Sequence, residues 1–469
     1  MTPPFHKRLY VWSVIMEPLF LFVLFEEAQS GVTGNLSRIL QVATLAVLAA
    51  RLLWRITGPP PRTVPVPNPL LPLYRRFSWL FILAIAAGIV GYFRGAYEMP
   101  AAYSSLAGER SWFSGTLNSA SVRPIFEYLA MAYYFGYFVV LPQYLLTSVE
   151  DIDYALSRFK RMFVISFAIG VVDLAFSMTG TYLVPRHLSD WLYVEARFHG
   201  LAGEPRQAFV YLFLGLALFH LMAFREGRKL NRRWTIAIIL AAALTQSTTG
   251  LVAVAIFIGL YGIYEMRRLS IRNLMRLLVI SVLLVGIGYV TVISSRRTMA
   301  YFVSASDLWY ILETNQPLPY LMSKSNSDIY PLYDLTVKAR AGDFLPVVFG
   351  SGMGSASATT NRYYREWAEL NNPHSQLARS LFETGLFGTW LYIMVFVGPV
   401  RDATAKMAAP VKRQFMMLVL LLVACTLADR SSVPFVYLGL FAGALRVWGA
   451  EKAPHPPESV SPEATSPPS

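Results

Sequence analysis

Long apolar runs recur along this chain from Tyr10 to Trp448, and many approach the roughly 20 residues a helix needs to cross a bilayer. In lipid such a run must pair its backbone N–H and C=O groups internally, and the helix does so within one segment. The runs fall near 9–25, 38–54, 77–94, 125–147, 162–182, 207–224, 232–246, 250–266, 277–294, 376–398, 414–428 and 434–448. This predicts an all-α, polytopic integral membrane protein of about twelve spans, with residues 1–448 forming one membrane-embedded domain. The first run carries Glu17 and Pro18 and lacks a small-residue cleavage site, so it reads as a retained helix. Segment 57–74 is a proline-rich, extended connector, and residues 449–469 form a disordered tail without core-forming residues. The single cysteine, Cys425, excludes an internal disulfide and a thiolate metal cluster.

A net charge of +13 invites a nucleic-acid reading, but its distribution points elsewhere. Cations gather at the N-terminus and in alternate connections, which the positive-inside rule places in the cytoplasm together with both termini. Between Trp234 and Tyr264 two spans share 31 residues interrupted by "TQSTTG", so both must be short, tilted or extended into their basic flanks. The connection 295–375 is the largest extracytoplasmic element, suited to a few amphipathic helices lying over the bundle as a lid. It carries Arg296, Arg297, Lys324, Lys338, Arg340, Arg362 and Arg365, and loop 183–206 adds Arg186, Arg197 and Arg206. Taken one by one these are ordinary solvated charges; as a set outside the membrane they point to an anionic ligand.

Three stretches hold residues able to do chemistry. "ARFHGLAGEPRQAF" (Ala196 to Phe209) leads into the sixth span, with Pro205 suited to a first turn, so that Arg197, His199, Glu204 and Arg206 gather at a helix start where anions bind. "FLPVVFGSGMGS" (Phe344 to Ser355) has Gly350, Gly352 and Gly354 without the strand and lysine of a nucleotide loop, and reads as a tight turn. "NNPHSQLARSLFETGLFG" (Asn371 to Gly388) places His374 and Ser375 at the start of the tenth span, with Gly385 and Gly388 open to a neighbouring helix. A histidine there is most often a cap, yet it can also accept a proton from a sugar hydroxyl. The Asp-x-Asp spacing in "EDID" (Glu150 to Asp153) reads as a cytoplasmic helix start rather than a metal site. Glu17, Asp173 and Glu383 lie at membrane depth; Glu383 has Arg379 one turn away as a partner, and Asp173 has no evident one. There is no Walker loop and no HExxH, and no metal or cofactor is expected.

His374 and Ser375, followed after nine residues by Gly385 and then Gly388, match a pattern of the O-antigen ligase and O-antigen or exopolysaccharide polymerase superfamily of bacterial envelopes. The Gly-x-Gly stretch, the large preceding loop and the twelve-span layout fit as well, so the chain resembles that superfamily over most of its length. The resemblance implies a GT-C-like fold and transfer of a glycan from an undecaprenyl-diphosphate carrier at the outer face of the inner membrane. No metal or nucleotide sugar takes part. It makes His374 the base or positioning group, with Glu204 as a second catalytic candidate, and it makes Arg197 and Arg206 ligands of the donor diphosphate. Arg340, Arg362, Arg365 and Ser375 join them as substrate-binding candidates.

Glu204-Pro205 looks more like the polymerases, and Ser247 followed by Thr248 departs from the arginine of the ligases. Polymerisation of repeat units is therefore the expectation. The expected partners are the lipid-linked oligosaccharide, a glycan acceptor, the bilayer, a chain-length regulator and a flippase, with no nucleic acid. Ligation onto lipid A core or a protein is the alternative, and a lipid-linked glycan transporter is a more distant one, since no two halves match.

Overall fold

The computed structural model describes residues 3–19, 23–27, 32–56, 71–98, 122–181, 183, 196–203, 205–227, 232–266, 275, 313, 329–363, 375–405 and 407–451. Six helices are long and apolar enough to cross a membrane: Leu36–Trp54, Leu71–Phe93, Arg123–Leu145, Pro205–Arg225, Gln376–Ala403 and Ala409–Ala428. They are the mark of a multi-pass membrane protein. In chain order the helices are α1 (Phe5–Ile15), α2 (Leu36–Ile56), α3 (Leu71–Phe93), α4 (Arg123–Leu145), α5 (Val149–Ser177), α6 (Pro205–Arg225), α7 (Arg232–Leu244) and α8 (Thr248–Met266). Three short helices follow, α9 (Ile329–Arg340), α10 (Leu345–Phe349) and α11 (Ser355–Tyr363), and then α12 (Gln376–Ala403), α13 (Ala409–Ala428) and α14 (Val433–Glu451). The ninth expected span, 277–294, lies outside the described residues, as do connector residues 57–70 and the tail from 452.

Burial separates the centre from the rim. The apolar windows of α6, α12 and α13 are 72%, 67% and 67% buried, against 17% and 22% for α2 and α3. On the rim helices Leu52, Leu53, Trp54, Ile82, Ile89 and Phe93 face outward, as side chains in contact with acyl chains do. Inside, aromatic rings interlock: Phe163 lies 5.2 Å from Tyr211 and 5.1 Å from Phe219 between ring centres, and a Cβ on Gly215 would run into the Phe163 ring. In α4 the turn Phe135–Val140 is π-wound. Gly439 of α14 sits against its Phe138 carbonyl, where any side chain would overlap, and Gln143 donates to the Gly439 carbonyl at 3.2 Å. A widened turn and a missing side chain thus let two helices meet backbone to backbone.

The first expected span, 9–25, is corrected. Helix α1 ends at Ile15, and β1 (Val23–Glu27) pairs antiparallel with β2 (Val32–Asn35) in a hairpin that an all-α expectation omits. Eleven residues at about 1.5 Å each reach only about 16 Å. Pro18 cannot donate to the helix ladder, and Glu17 is drawn into side-chain contacts described below. The acidic "EDID" stretch is a helix start, as its sequence suggested: Ser148 and Asp151 form a reciprocal capping box on α5. Asp151 also pairs with Lys7 at 2.5 Å, tying the N-terminal segment to that end of the bundle. Asp173 is fully buried near the end of α5 and accepts from the Leu183 N–H at 2.9 Å.

Candidate functional site

Helix α12 is broken near its start. Gly385 takes φ 68°, ψ −174°, a conformation open to glycine and strained for other residues, so the i to i−4 ladder is interrupted there. The segment after α10 fills the break: the Ser351 N–H donates to the Phe382 carbonyl and the Gly352 N–H to the Glu383 carbonyl, both at 2.8 Å. Gly350, at φ 88°, passes directly over the Glu383 carbonyl, and Gly385 over that of Val348, so a Cβ on either would overlap backbone. The two glycine stretches read separately from the sequence are two sides of one joint. Gly350 does turn the chain, and the neighbour that Gly385 admits is this strap. Gly388 has Leu83 of α3 beside it, and a Cβ there would overlap Thr384.

Through this joint, α9, α10 and α11 lie over the first turns of α12. A small apolar cluster of Leu335, Ala356 and Phe382 holds them, Tyr97 donates to the Met353 carbonyl at 3.0 Å, and Arg94 at the end of α3 pairs with Asp343.

Below the strap is a cavity of about 60 Å³, lined on three sides by α4 (Glu127, Met131), α12 (Gln376, Arg379, Glu383) and the turn before α14 (Arg430). Met353 of the strap contributes to the lining. Arg379 is 1% exposed; its Nη2 donates to Glu383 Oε1 at 3.0 Å and lies 3.3 Å from Glu127 Oε1. Arg123 approaches the same Glu127 oxygen at 3.4 Å, and Arg430 pairs with Glu127 Oε2. One buried carboxylate therefore serves three guanidinium groups. Removing it would leave them to repel one another in a medium that screens poorly.

The turn between α13 and α14, Asp429 to Ser432, reaches three other places in the fold directly and α2 through Glu17. Asp429 accepts from Gln207 at 3.1 Å and lies 3.8 Å from Arg206, both in the first turn of α6. Arg430 binds Glu127 of α4. Ser432 donates to Glu17 beyond α1, and Glu17 also takes Arg38 at 3.0 Å and Gln41 at 2.6 Å from α2. Just before the turn, the Leu427 carbonyl accepts from Ser375 at 3.4 Å. The starts of α4, α6, α12 and α14 and the ends of α1 and α13 thus share one end of the bundle.

Of the residues singled out in the sequence, Ser375 caps α12 by accepting from the Ala378 N–H, and Arg206 meets the same turn through Asp429. Arg197 is buried in the segment 196–203, which packs against α5 at middle depth: the Leu201 N–H donates to Ser166 at 3.0 Å, and the Phe198 ring lies 5.7 Å from Phe167. His199 is buried beside it. Arg340 is exposed at the end of α9. The backbone of Arg362 belongs to α11, but its side chain, like His374, Glu204 and Arg365, lies outside the described residues.

The Arg379–Glu383 pair is legible in the sequence from its one-turn spacing, whereas Arg123, Glu127 and Arg430 are not singled out there. A carboxylate and two cations at the edges of apolar runs were the available signal. Among the described residues no group of three His, Cys, Asp or Glu is placed to share a metal ion. Compared with known proteins, the chain matches no family model, and the search of curated proteins finds no match.

Proposed function

We propose that this protein is a membrane glycosyltransferase that joins undecaprenyl-diphosphate-linked repeat units at the outer face of the bacterial inner membrane, making an exopolysaccharide, capsule or O-antigen. In this reading the twelve-span, GT-C-like layout places both termini in the cytoplasm and the cavity end of the bundle in the periplasm. The observation that carries it is the convergence on residues 427–432 of Ser375, the neighbour of His374, with Arg206 and the Arg379–Arg430 cluster.

The chemistry such a site would perform is one displacement. An acceptor hydroxyl attacks the anomeric carbon, the bond from that carbon to the phosphate oxygen breaks, and the diphosphate leaves with the electron pair. His374 accepts the hydroxyl proton, and fixed guanidinium groups meet the charge that builds on the diphosphate. A single attack from the opposite side inverts the anomeric centre. Reconstitution of the full chain with lipid-linked oligosaccharide tests this: a ladder of repeat units without added acceptor is expected, and none with His374→Ala at wild-type folding. Transfer only when lipid A core is supplied would make it a ligase.

The broken helix α12 and the buried segment 196–203, with only the 3₁₀ turn Gly200–Ala202 in it, are features that transporters also use near the midplane. Flux of the labelled lipid-linked glycan with no new glycosidic bond would favour that second reading.

A further inference from the structure

Helix α10 carries an apolar face that no described element covers. Phe344, Leu345, Val348 and Phe349 are 60%, 46%, 37% and 43% exposed, while Pro346 on the other side is buried. The neighbours of this face are themselves outward-facing. The Val348 carbonyl lies against Gly385 of α12, and just beyond it Leu386, Phe387 and Trp390 turn outward. The Ser351 carbonyl rests on Gly91 of α3 and Gly352 on Gly88, and on α3 Ile82, Ile89 and Phe93 turn outward. The exposed face of α10 is thus continuous with the apolar rims of two membrane-spanning helices.

Two ion pairs show how deep the segment lies. Arg76 of α3 pairs with Asp402 near the end of α12 at 2.7 Å, and Arg94 pairs with Asp343 just before α10. Arg76 and Arg94 are 18 positions apart, a rise of about 27 Å against about 30 Å for a hydrocarbon core. The pairs therefore mark the two boundaries, since charges on a span gather at its ends. Gly88 lies six positions inside Arg94, about 9 Å deep. The chain leaves the boundary at Asp343, reaches the level of Gly88 at Gly352, and by Gly354 is beside Arg123 and Pro124 at the start of α4. Irregular backbone at membrane depth has to be enclosed by protein and paired. Gly350, Ser351, Gly352 and Gly354 are buried, and the first three N–H groups donate to the carbonyls of Pro346, Phe382 and Glu383 at 2.8–2.9 Å.

We propose that residues 344–354 are a re-entrant element. Helix α10 enters the leaflet at the cavity end of the bundle with Phe344, Leu345, Val348 and Phe349 against lipid acyl chains, and the chain returns through the glycine stretch between α3 and α12. The lid expected from the sequence is therefore partly sunk in lipid. Met353, which lines the cavity, reaches it from this lipid-held segment. The placement is independent of the glycan-transfer reading, because it uses only the spans, the boundary pairs and the exposed face.

The test places one nitroxide label at a time on the full-length protein in nanodiscs of phosphatidylethanolamine and phosphatidylglycerol, in a Cys425→Ala background. Collision with oxygen, which concentrates in lipid, is compared with collision with a water-soluble nickel chelate. Ile82→Cys on the α3 rim is the lipid reference and Arg340→Cys at the exposed end of α9 the aqueous one. Labels at Val348→Cys and Phe349→Cys are expected to match Ile82 in favouring oxygen, and Phe344→Cys, next to the boundary pair, to fall between the two references. Where a label on α10 disturbs folding, Phe344→Cys, outside the helix, carries the same comparison against Arg340.

Nickel-dominated collisions at Val348 and Phe349 overturn the proposal, because the face would then be in water. Low collision rates with both reagents overturn it too, since a protein partner would be covering the face. Equal oxygen preference at Phe344 and Phe349 would describe a helix lying flat in the interface and would remove the descent. A second readout needs no label: Val348→Asp should lower the thermal midpoint in nanodiscs clearly more than Val348→Ser, whereas equal midpoints would place the side chain in water.

Discussion

Ser432 and Glu17, 415 positions apart in sequence, share a buried hydrogen bond in which the serine hydroxyl donates to the carboxylate. Glu17 also receives Arg38 and Gln41, and Tyr133 donates to the Gln41 side-chain oxygen Oε1 at 2.6 Å, so one carboxylate joins the end of α1 to α2, α4 and the turn before α14. Glu17→Ala would strip partners from three buried or half-buried donors. A loss of about 2–4 kcal/mol is expected from removing several hydrogen bonds to one charge, read as a lower thermal midpoint in detergent. Glu17→Gln keeps the shape and an acceptor, and should lose clearly less. Equal losses from the two would mean that the charge is irrelevant.

The glycine joint makes a sharper claim. Gly385→Ala and Gly350→Ala each place a Cβ onto backbone in a left-handed conformation, where strain alone is about 1–2 kcal/mol and overlap adds to it. Both should lower the thermal midpoint and make the segment 345–363 more sensitive to protease. Gly259→Ala in α8 is the control: nothing lies within 4 Å of its added Cβ, so alanine should be neutral or up to about 1 kcal/mol stabilising.

Much of the scaffold was legible in the sequence because lipid imposes one rule, apolar length, and that rule registers α2, α3, α4, α6, α12 and α13 directly. Where it stops being the only rule, the reading fails. Glu17 and Pro18 were visible, but the partners that end α1 early, Ser432 above all, are remote in sequence. Gly350 and Gly385 were each recognised as special without any sign that they face each other, since a backbone-to-backbone joint leaves no pairing signal in side-chain types. Glu127 and Arg430 were overlooked for a related reason: each looks like a charge at a span edge, and only their convergence on Arg379 sets them apart.

At the opposite end of α5 the prediction is modest and local. Ser148 accepts from the Asp151 N–H at 3.2 Å, and Asp151 returns a contact to the Ser148 N–H at 3.3 Å. Ser148→Ala should cost about 1 kcal/mol through the lost cap. Because the site residues lie at the other end, glycan transfer should be unchanged in the folded fraction. A loss of transfer at wild-type stability would show that this end reports to the site.

Arg379 and Glu383 form the most deeply buried ion pair of the cavity, at 3.0 Å with side chains 2% and 4% exposed. Burial makes the pair expensive to break and cheap to replace. Arg379→Met leaves the buried Glu383 short of its partner, a loss of about 3–5 kcal/mol, whereas exchanging both partners for apolar groups of similar volume can be nearly neutral. Arg379→Met should therefore lower the thermal midpoint strongly, and adding Glu383→Leu should recover part of that loss, with a coupling of at least about 1 kcal/mol in a double-mutant cycle. Glu127 sets how complete the recovery is. It keeps Arg123 and Arg430 when Arg379 is gone, so the double variant should fold. Additive losses of stability in the double variant would show that the two side chains do not stabilise each other.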